Sequence, residues 1–317
     1  MKMLQFTNGD SMPILGLGTW QANSGDVYNA VKEAVKAGYR HIDCAAIYGN
    51  EAEVGEAITD SIEEGVVNRD ELWVTSKLWN NAHAPEDVQP ALEKTLADLQ
   101  LETLDLYLIH WPVLIKRQLL YQNSGHDMVS LDEIPISETW SVMETMVDKG
   151  LCKHIGVSNF SIAKLEALIK TARVPLEMNQ IELHPYLQQL KMLEFCSSRN
   201  IHLTAFAPLG SANRPDRLKV KNEPVLIEDP VVKALAEKHD ATPAQILISW
   251  SIHRNVAVIP KSIHADRIKQ NFEATAISLS ASDFAELTVL DKHRRYVSGT
   301  FWTMEGSPYT IENLWDE

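Results

Sequence analysis

Three polar residues stand where apolar runs end, and a tyrosine follows the first of them. Asp43 closes "YRHID" (39–43), Lys77 follows "LWVTS" (72–76) and His110 closes "TLDLYLIH" (103–110). Tyr48 follows Asp43 by five residues in "RHIDCAAIYGNE" (40–51). A free phenol has a pKa of about 10, too high for easy acid–base work at neutral pH. A nearby ammonium lowers it by stabilising the phenolate. Lys77 can do this if Asp43 holds it in an ion pair, and His110 can orient a carbonyl oxygen or share the proton. Together the four would protonate a carbonyl oxygen as its carbon gains electrons. They include no nucleophile with an adjacent base. "HWP" (110–112) and "HP" (184–185) lack a two-histidine zinc spacing, so no metal is expected. Reduction needs a hydride source, which points to a nicotinamide cofactor.

Such residues must be brought together by the elements between them. Eight short apolar runs are expected as strands: "ILGLG" (14–18), "YRHID", "LWVTS", "TLDLYLIH", "KHIGVS" (153–158), "LEMNQIE" (176–182), "HLTAF" (202–206) and "VAVIP" (256–260). Amphipathic stretches separate them. Val27, Ala30, Val31, Ala34 and Val35 follow helical spacing and Gly38 ends the run. Pro85 and Asp229-Pro230 read as helix starts, and Thr242-Pro243-Ala244-Gln245 as a capping box. Further helices are expected at 138–149, 161–171 and 189–199. Strand–helix alternation implies a parallel sheet, and eight repeats in this length imply an α/β (β/α)8 TIM barrel. It is preceded by a hairpin turning at Asn8-Gly9, and residues 1–317 are expected to form one domain. An open dinucleotide-binding sheet would want G-x-G-x-x-G after its first strand. Gly16-Leu17-Gly18-Thr19-Trp20-Gln21 does not supply it. Three irregular segments stand out, 112–136, 207–228 and 293–317; long loops of this kind tend to be functional.

Barrel chemistry lies where strands end. The remaining strand ends carry Thr19 and Trp20, Ser158 and Asn159, Gln180 with Glu182, Phe206, and Lys261 with Ser262. Ser158, Asn159 and Gln180 have the donors and acceptors a carboxamide needs, and Phe206 offers a flat face for a nicotinamide ring. "IPKSIHADRIKQN" (259–271) gathers Lys261, Ser262, Arg267 and Asn271 near a helix start, which suits a phosphate. In an acidic protein that local basic cluster favours the 2′-phosphate of NADPH. Trp20, Trp79 and Trp111, with Phe301 or Trp302, are candidate apolar walls for a substrate held between Tyr48 and His110. The 317 residues carry a formal charge of −14, which argues against nucleic acid or an anionic membrane as partner. Three cysteines make no disulfide framework, and the N-terminus has no apolar leader. A cytoplasmic protein, monomer or weak homodimer, is expected.

The chain resembles the aldo-keto reductase superfamily over nearly its full length. The resemblance is carried by "GLGTW" (16–20), "HIDCAAIYGNEAEVG" (41–55), "TSKLW" (75–79), "DLYLIHWP" (105–112), "GVSNFS" (156–161), "NQIELHPY" (179–186), "APLGS" (207–211) and "IPKS" (259–262). It implies a barrel that binds NADP(H) without a dinucleotide-binding sheet and reduces a small-molecule carbonyl by hydride transfer. It implies Tyr48 as proton donor, supported by Asp43, Lys77 and His110. Implied cofactor contacts are Thr19, Trp20, Asp43, Ser158, Asn159, Gln180, Phe206, Pro208, Leu209, Ser211, Lys261, Ser262, Ile263, Arg267, Gln270 and Asn271. Two positions depart from the pattern. Phe206 stands where many members have tyrosine. Asn213 stands where several carry an aspartate that helps latch a loop over the cofactor. The retained His110 argues against the branch that reduces steroid double bonds. The leading expectation is an NADPH-dependent aldehyde, ketone or aldose reductase. Two alternatives are an NADPH-sensing regulatory subunit and a barrel lyase with Lys77 as Schiff-base nucleophile. Sugars, sugar phosphates and lipid-derived aldehydes all remain open as substrates. His293, Arg294 and Arg295 are candidates for a substrate phosphate.

Overall fold

The computed structural model describes residues 2–316. All eight expected strands form: Leu17–Gly18, His41–Asp43, Trp73–Leu78, Leu104–Ile109, Cys152–Ser158, Met178–Glu182, His202–Phe206 and Ala257–Val258. They pair in parallel and in chain order. The first and last edges meet, with Gly16 N–H donating to Val258 O at 2.9 Å and Val258 N–H to Ile14 O at 2.8 Å. A Cβ on Gly18 would fall 2.8 Å from the Ile259 carbonyl oxygen, so this closure needs a residue without a side chain. The third and fourth strands are buried at every position. This is how a sheet covered on both faces reads, as continuous apolar runs.

The helix boundaries follow their capping chemistry. Asp26–Ala37 ends on Gly38, in the left-handed region at φ 106°. Pro85–Leu99 and Pro230–Lys238 start on their prolines, the second capped by Asp229, which accepts from Val231 N–H at 2.9 Å. Pro243–His253 carries the Thr242–Gln245 capping box. Ile136–Asp148, Ile162–Ile169 and Leu190–Ser197 lie within a few residues of expectation. The helix Ala265–Glu273 begins just after the "IPKS" loop.

Three helices were not anticipated: Glu51–Glu63, Ala281–Thr288 and Ile311–Trp315. In the first, Gly55 interrupts the apolar stripe and reads as a breaker. Its role is steric, because a Cβ there would lie 2.5 Å from the Asp98 carbonyl oxygen of the neighbouring helix. The other two are short and rest on capping boxes at Ser280 and Thr310.

The segments expected to be irregular hold local structure. Within 112–136, Leu114–Ile115 pairs antiparallel with Met128–Val129. Segment 207–228 contains two single-turn helices, Asp216–Leu218 and Leu226–Glu228. The tail is pinned to the body. Tyr309 Oη donates to Val129 O at 2.6 Å and accepts from Leu114 N–H at 2.9 Å, and Lys164 Nζ reaches Asp316 at 2.6 Å.

The hairpin, Met3–Gln5 with Ser11–Pro13, caps the opposite end of the barrel. Phe6 packs there on Trp73, His154 and His202, with ring centroids 5.1, 4.3 and 4.8 Å away. Among the described residues, no helix is long and apolar enough to cross a membrane.

Candidate active site

The second, third and fourth strands deliver Asp43, Lys77 and His110 to one end of the barrel, as their spacing implied. Lys77 Nζ lies 2.7 Å from Asp43 Oδ2 and 2.7 Å from the Cys44 carbonyl oxygen. Both side chains are essentially fully buried, at 0% and 2% exposure. Burial disfavours the Lys77 ammonium, yet Asp43 and then Tyr48 outweigh it, and the pKa stays above its ordinary value. The other carboxylate oxygen of Asp43 accepts from Gln180 Nε2 at 2.7 Å. Sequence reasoning had assigned Gln180 to a carboxamide and did not foresee this bond. The sixth strand faces the second across the barrel, a closeness that exists only once the sheet closes.

Tyr48 ends a single helical turn, Ala46–Tyr48, that brings its half-buried ring back over this pair. Lys77 Nζ lies 5.2 Å from the ring centroid. The His110 ring meets it edge-on at 5.8 Å. The phenol pKa is pushed up to about 12, because burial outweighs the downward pull of Lys77. The expectation of a net lowering is therefore corrected: desolvation wins. The phenol is fully protonated at neutral pH, the state a proton donor needs. His110 is held well below its ordinary pKa by burial, by the Lys77 ammonium and by His83, so its imidazole is neutral.

Ser158 ends the fifth strand and Asn159 follows it. Ser158 Oγ donates to Gln180 O at 2.8 Å, and Asn159 Nδ2 donates to His110 O at 3.0 Å. Asn159 Oδ1 is buried without a protein partner. Thr19 Oγ1 donates to Asp43 O at 2.8 Å, tying the first strand end to the second. Phe206, half-buried, ends the seventh strand, and Pro208, Leu209 and Ser211 follow it. Gln21, Asn159, Ala207 and Ser211, all just past barrel strands, have positive φ between 46° and 64°. Such backbone is unfavourable for residues with a Cβ and gathers at functional loops.

Lys261, Ser262 and Ile263 follow the eighth strand. Arg267 and Gln270 are exposed and Asn271 is buried on the helix Ala265–Glu273. Lys261 Nζ donates to the Gln21 carbonyl at 3.0 Å, spanning the gap between the last and first strand ends. Asn213 is exposed. The 207–228 loop is held instead by buried Arg214, paired with Glu223 at 2.5 Å, and Glu223 also takes Arg294 at 3.1 Å.

Trp79, Trp111 and Trp302 are buried in one aromatic cluster with Trp315 and, at its edge, Phe301. Trp79 lies 5.2 Å from His110 and 5.9 Å from Trp302, and Trp111 lies 5.8 Å from Trp302. Exposed Tyr121 and Leu120 continue the apolar surface outward. Trp79 reaches Tyr121 at 6.5 Å and donates to Leu120 O at 2.7 Å. Trp20 sits half-buried just after the first strand. Glu182 turns away from chemistry: its carboxylate accepts from Tyr296 and Val297 N–H at 2.6 and 2.8 Å, anchoring the tail. Sequence reasoning also passed over Asn80 and His83, two buried polar residues on the loop beyond Trp79.

The model of the family described as "Aldo/keto reductase family" matches residues 14–292. A Synechocystis protein named aldo/keto reductase slr0942 is 52% identical over 317 residues, covering 100% of this chain and 97% of that relative. The mouse protein aldo-keto reductase family 1 member A1 is 48% identical over 291 residues, covering 91% of this chain and 89% of its own. Its human counterpart is 47% identical over the same span. The chain belongs to the aldo/keto reductase family, and so to the carbonyl-reducing oxidoreductases.

Proposed function

We propose that the protein is an NADP(H)-dependent reductase of apolar aldehydes and ketones, with Tyr48 as proton donor. The observation that carries this reading is the buried Lys77–Asp43 pair lying under a protonated phenol beside a neutral imidazole. The residues present fit the cofactor. Asn159 Oδ1 is a buried acceptor without a protein partner, as a carboxamide N–H would require. The loop from Lys261 leads into a helix N-terminus with Ser262, a setting suited to phosphate. Bound NADPH would supply the hydride.

The protein's own groups do the rest. Lys77 keeps the phenol acidic relative to its burial, because its positive charge stabilises the phenolate left when the proton departs. Asp43 holds that ammonium in place, and Gln180 holds Asp43. His110, neutral, donates to the carbonyl oxygen without adding charge to a site that already holds an ammonium. The aromatic cluster beside His110 shields that side of the site from water.

The aromatic mouth favours apolar substrates over sugar phosphates. Two of the trio that could have met a phosphate are engaged elsewhere, Arg294 with Glu223 and Arg295 over Trp315 at 3.7 Å, and His293 is exposed to solvent. The Schiff-base alternative is disfavoured, since Lys77 is charged and held by two acceptors. The test is NADPH oxidation over matched series of aryl aldehydes, alkyl aldehydes, aldoses and aldose phosphates. We expect kcat/KM highest for the aryl and alkyl aldehydes. A preference for aldose phosphates would overturn the substrate class, and no turnover on any carbonyl would overturn the reductase reading.

A further inference from the structure

The segment that carries Tyr48 is tied at both ends to the strand that carries Lys77. Before the turn, Cys44 N–H donates to Thr75 O at 2.8 Å. After it, Glu51 opens the helix Glu51–Glu63 and turns its carboxyl group inward. Ser76 Oγ donates to Glu51 Oε1, and Thr95 Oγ1, on the helix Pro85–Leu99, donates to Oε2 at 3.1 Å. Thr75 and Ser76 are the two residues before Lys77 in the third strand. Lys77 closes the loop by donating to Cys44 O at 2.7 Å. Within the turn, Tyr48 N–H donates to Ala45 O at 3.0 Å and Gly49 N–H to Ala46 O at 3.3 Å. These bonds shape the turn without fixing it to the barrel. Asn50 Nδ2 adds one tie to the first strand end, donating to Thr19 O at 3.0 Å.

Glu51, Ser76 and Thr95 are 4%, 0% and 1% exposed. A carboxyl group held by two hydroxyls is a costly way to fill space inside a protein. Burial pushes the Glu51 pKa up to about 7, although both hydroxyls pull it down. The helix dipole favours a carboxylate in a first turn, but that requires no burial. An apolar side chain of similar size would pack there without the penalty. What an apolar side chain cannot do is bond the helix that follows Tyr48 to the strand residue that precedes Lys77.

We infer that Glu51 is a positioning residue for Tyr48. Its bond to Ser76 fixes the start of the helix against the third strand. That sets where the phenol stands relative to the Lys77 ammonium, which lies 5.2 Å from the ring centroid. A misplacement of about 1 Å is enough to slow a reaction strongly. This rests on the donor role proposed for Tyr48, but the position of the ring can be read without turnover.

The experiment compares crystal structures and kinetics of the wild type with those of Glu51→Leu, Ser76→Ala and Glu51→Gln. In Glu51→Leu and Ser76→Ala we expect the Tyr48 ring to move away from Lys77. In both, kcat should fall roughly 10- to 100-fold while NADPH affinity is unchanged. The solvent isotope effect on kcat should rise, because proton delivery becomes the slower step. Glu51→Gln keeps groups that can bond both hydroxyls, and should restore the ring position and most of kcat. A ring that stays in place in Glu51→Leu and Ser76→Ala overturns the inference, even if kcat or the melting temperature falls, since the role is then packing only. If Glu51→Leu does not fold, Ser76→Ala carries the same readouts. A displaced ring with undiminished turnover would count against Tyr48 as the donor and leave the positioning standing. Absence of reductase activity in the wild type would refute the proposed function, and the crystallographic comparison would still decide the role of Glu51.

Discussion

The two ends of the barrel both bury charge, and they treat it differently. At the hairpin end His154 sits between two carboxylates, Nδ1 at 2.6 Å from Glu177 and Nε2 at 3.0 Å from Asp10. Its faces are covered by Phe6 and by Trp73, and neighbouring His202 bonds to Gln5 O at 3.0 Å. Both ring nitrogens are satisfied within the protein. At the mouth, Lys77 and Asp43 are equally deep, yet atoms around them stay without protein partners, among them His110 Nδ1 and Asn159 Oδ1. The closed end pairs its buried groups within the protein, and the open end leaves bonding capacity that the proposed function would use. Unpaired polar atoms mark the second kind of site.

The comparison breaks most visibly at Tyr48. Tyr48→Phe should lower kcat by about 10²–10⁴-fold and leave NADPH affinity and melting temperature nearly unchanged. Near-normal turnover would remove the phenol as acid. Asp43→Asn comes next, at roughly 10- to 100-fold in kcat. Asp43 raises the Lys77 pKa against burial, so its loss should lower that pKa and move the alkaline limb of the pH–rate profile downward. An unshifted limb would mean that Asp43 does not hold the ammonium. Lys261→Ala and Arg267→Ala should weaken NADPH roughly 10-fold and NADH little. Equal losses for both cofactors would sink the 2′-phosphate assignment.

The smallest effect lies at the closed end and should change no kinetic constant. The hydrogen bonds and charges of Glu177 and Asp10 outweigh burial and raise the pKa of His154. A raised folded pKa contributes stability that is full below the unfolded value of about 6.5 and fades as pH rises through the folded one. His154→Gln should therefore cost about 1–3 kcal/mol in mild acid and less as pH rises. Melting curves across pH read this directly, and a penalty that grows with pH would contradict the charged-histidine account.

Much of this was legible in the chain before folding. The strands were readable because each is a short apolar run ended by a polar residue, and the helices because prolines, capping boxes and Gly38 punctuate them. Glu51–Glu63 was missed because Gly55 looks like a breaker until the backbone it packs against is known. Ile311–Trp315 was missed because five residues carry no periodicity. Asp43, Lys77, His110 and Tyr48 were legible as a set because strand ends in a parallel barrel converge.

Polar residue types at strand ends, read with one alternating pattern, were enough to settle the fold and to nominate the reacting groups, because both are local properties. Closure decided what local reading could not. It brought Gln180 to Asp43 from across the barrel. It desolvated Tyr48 enough to raise its pKa where the lysine alone would lower it. Burial and cross-barrel distance are sums over the whole chain, and no window of sequence contains them.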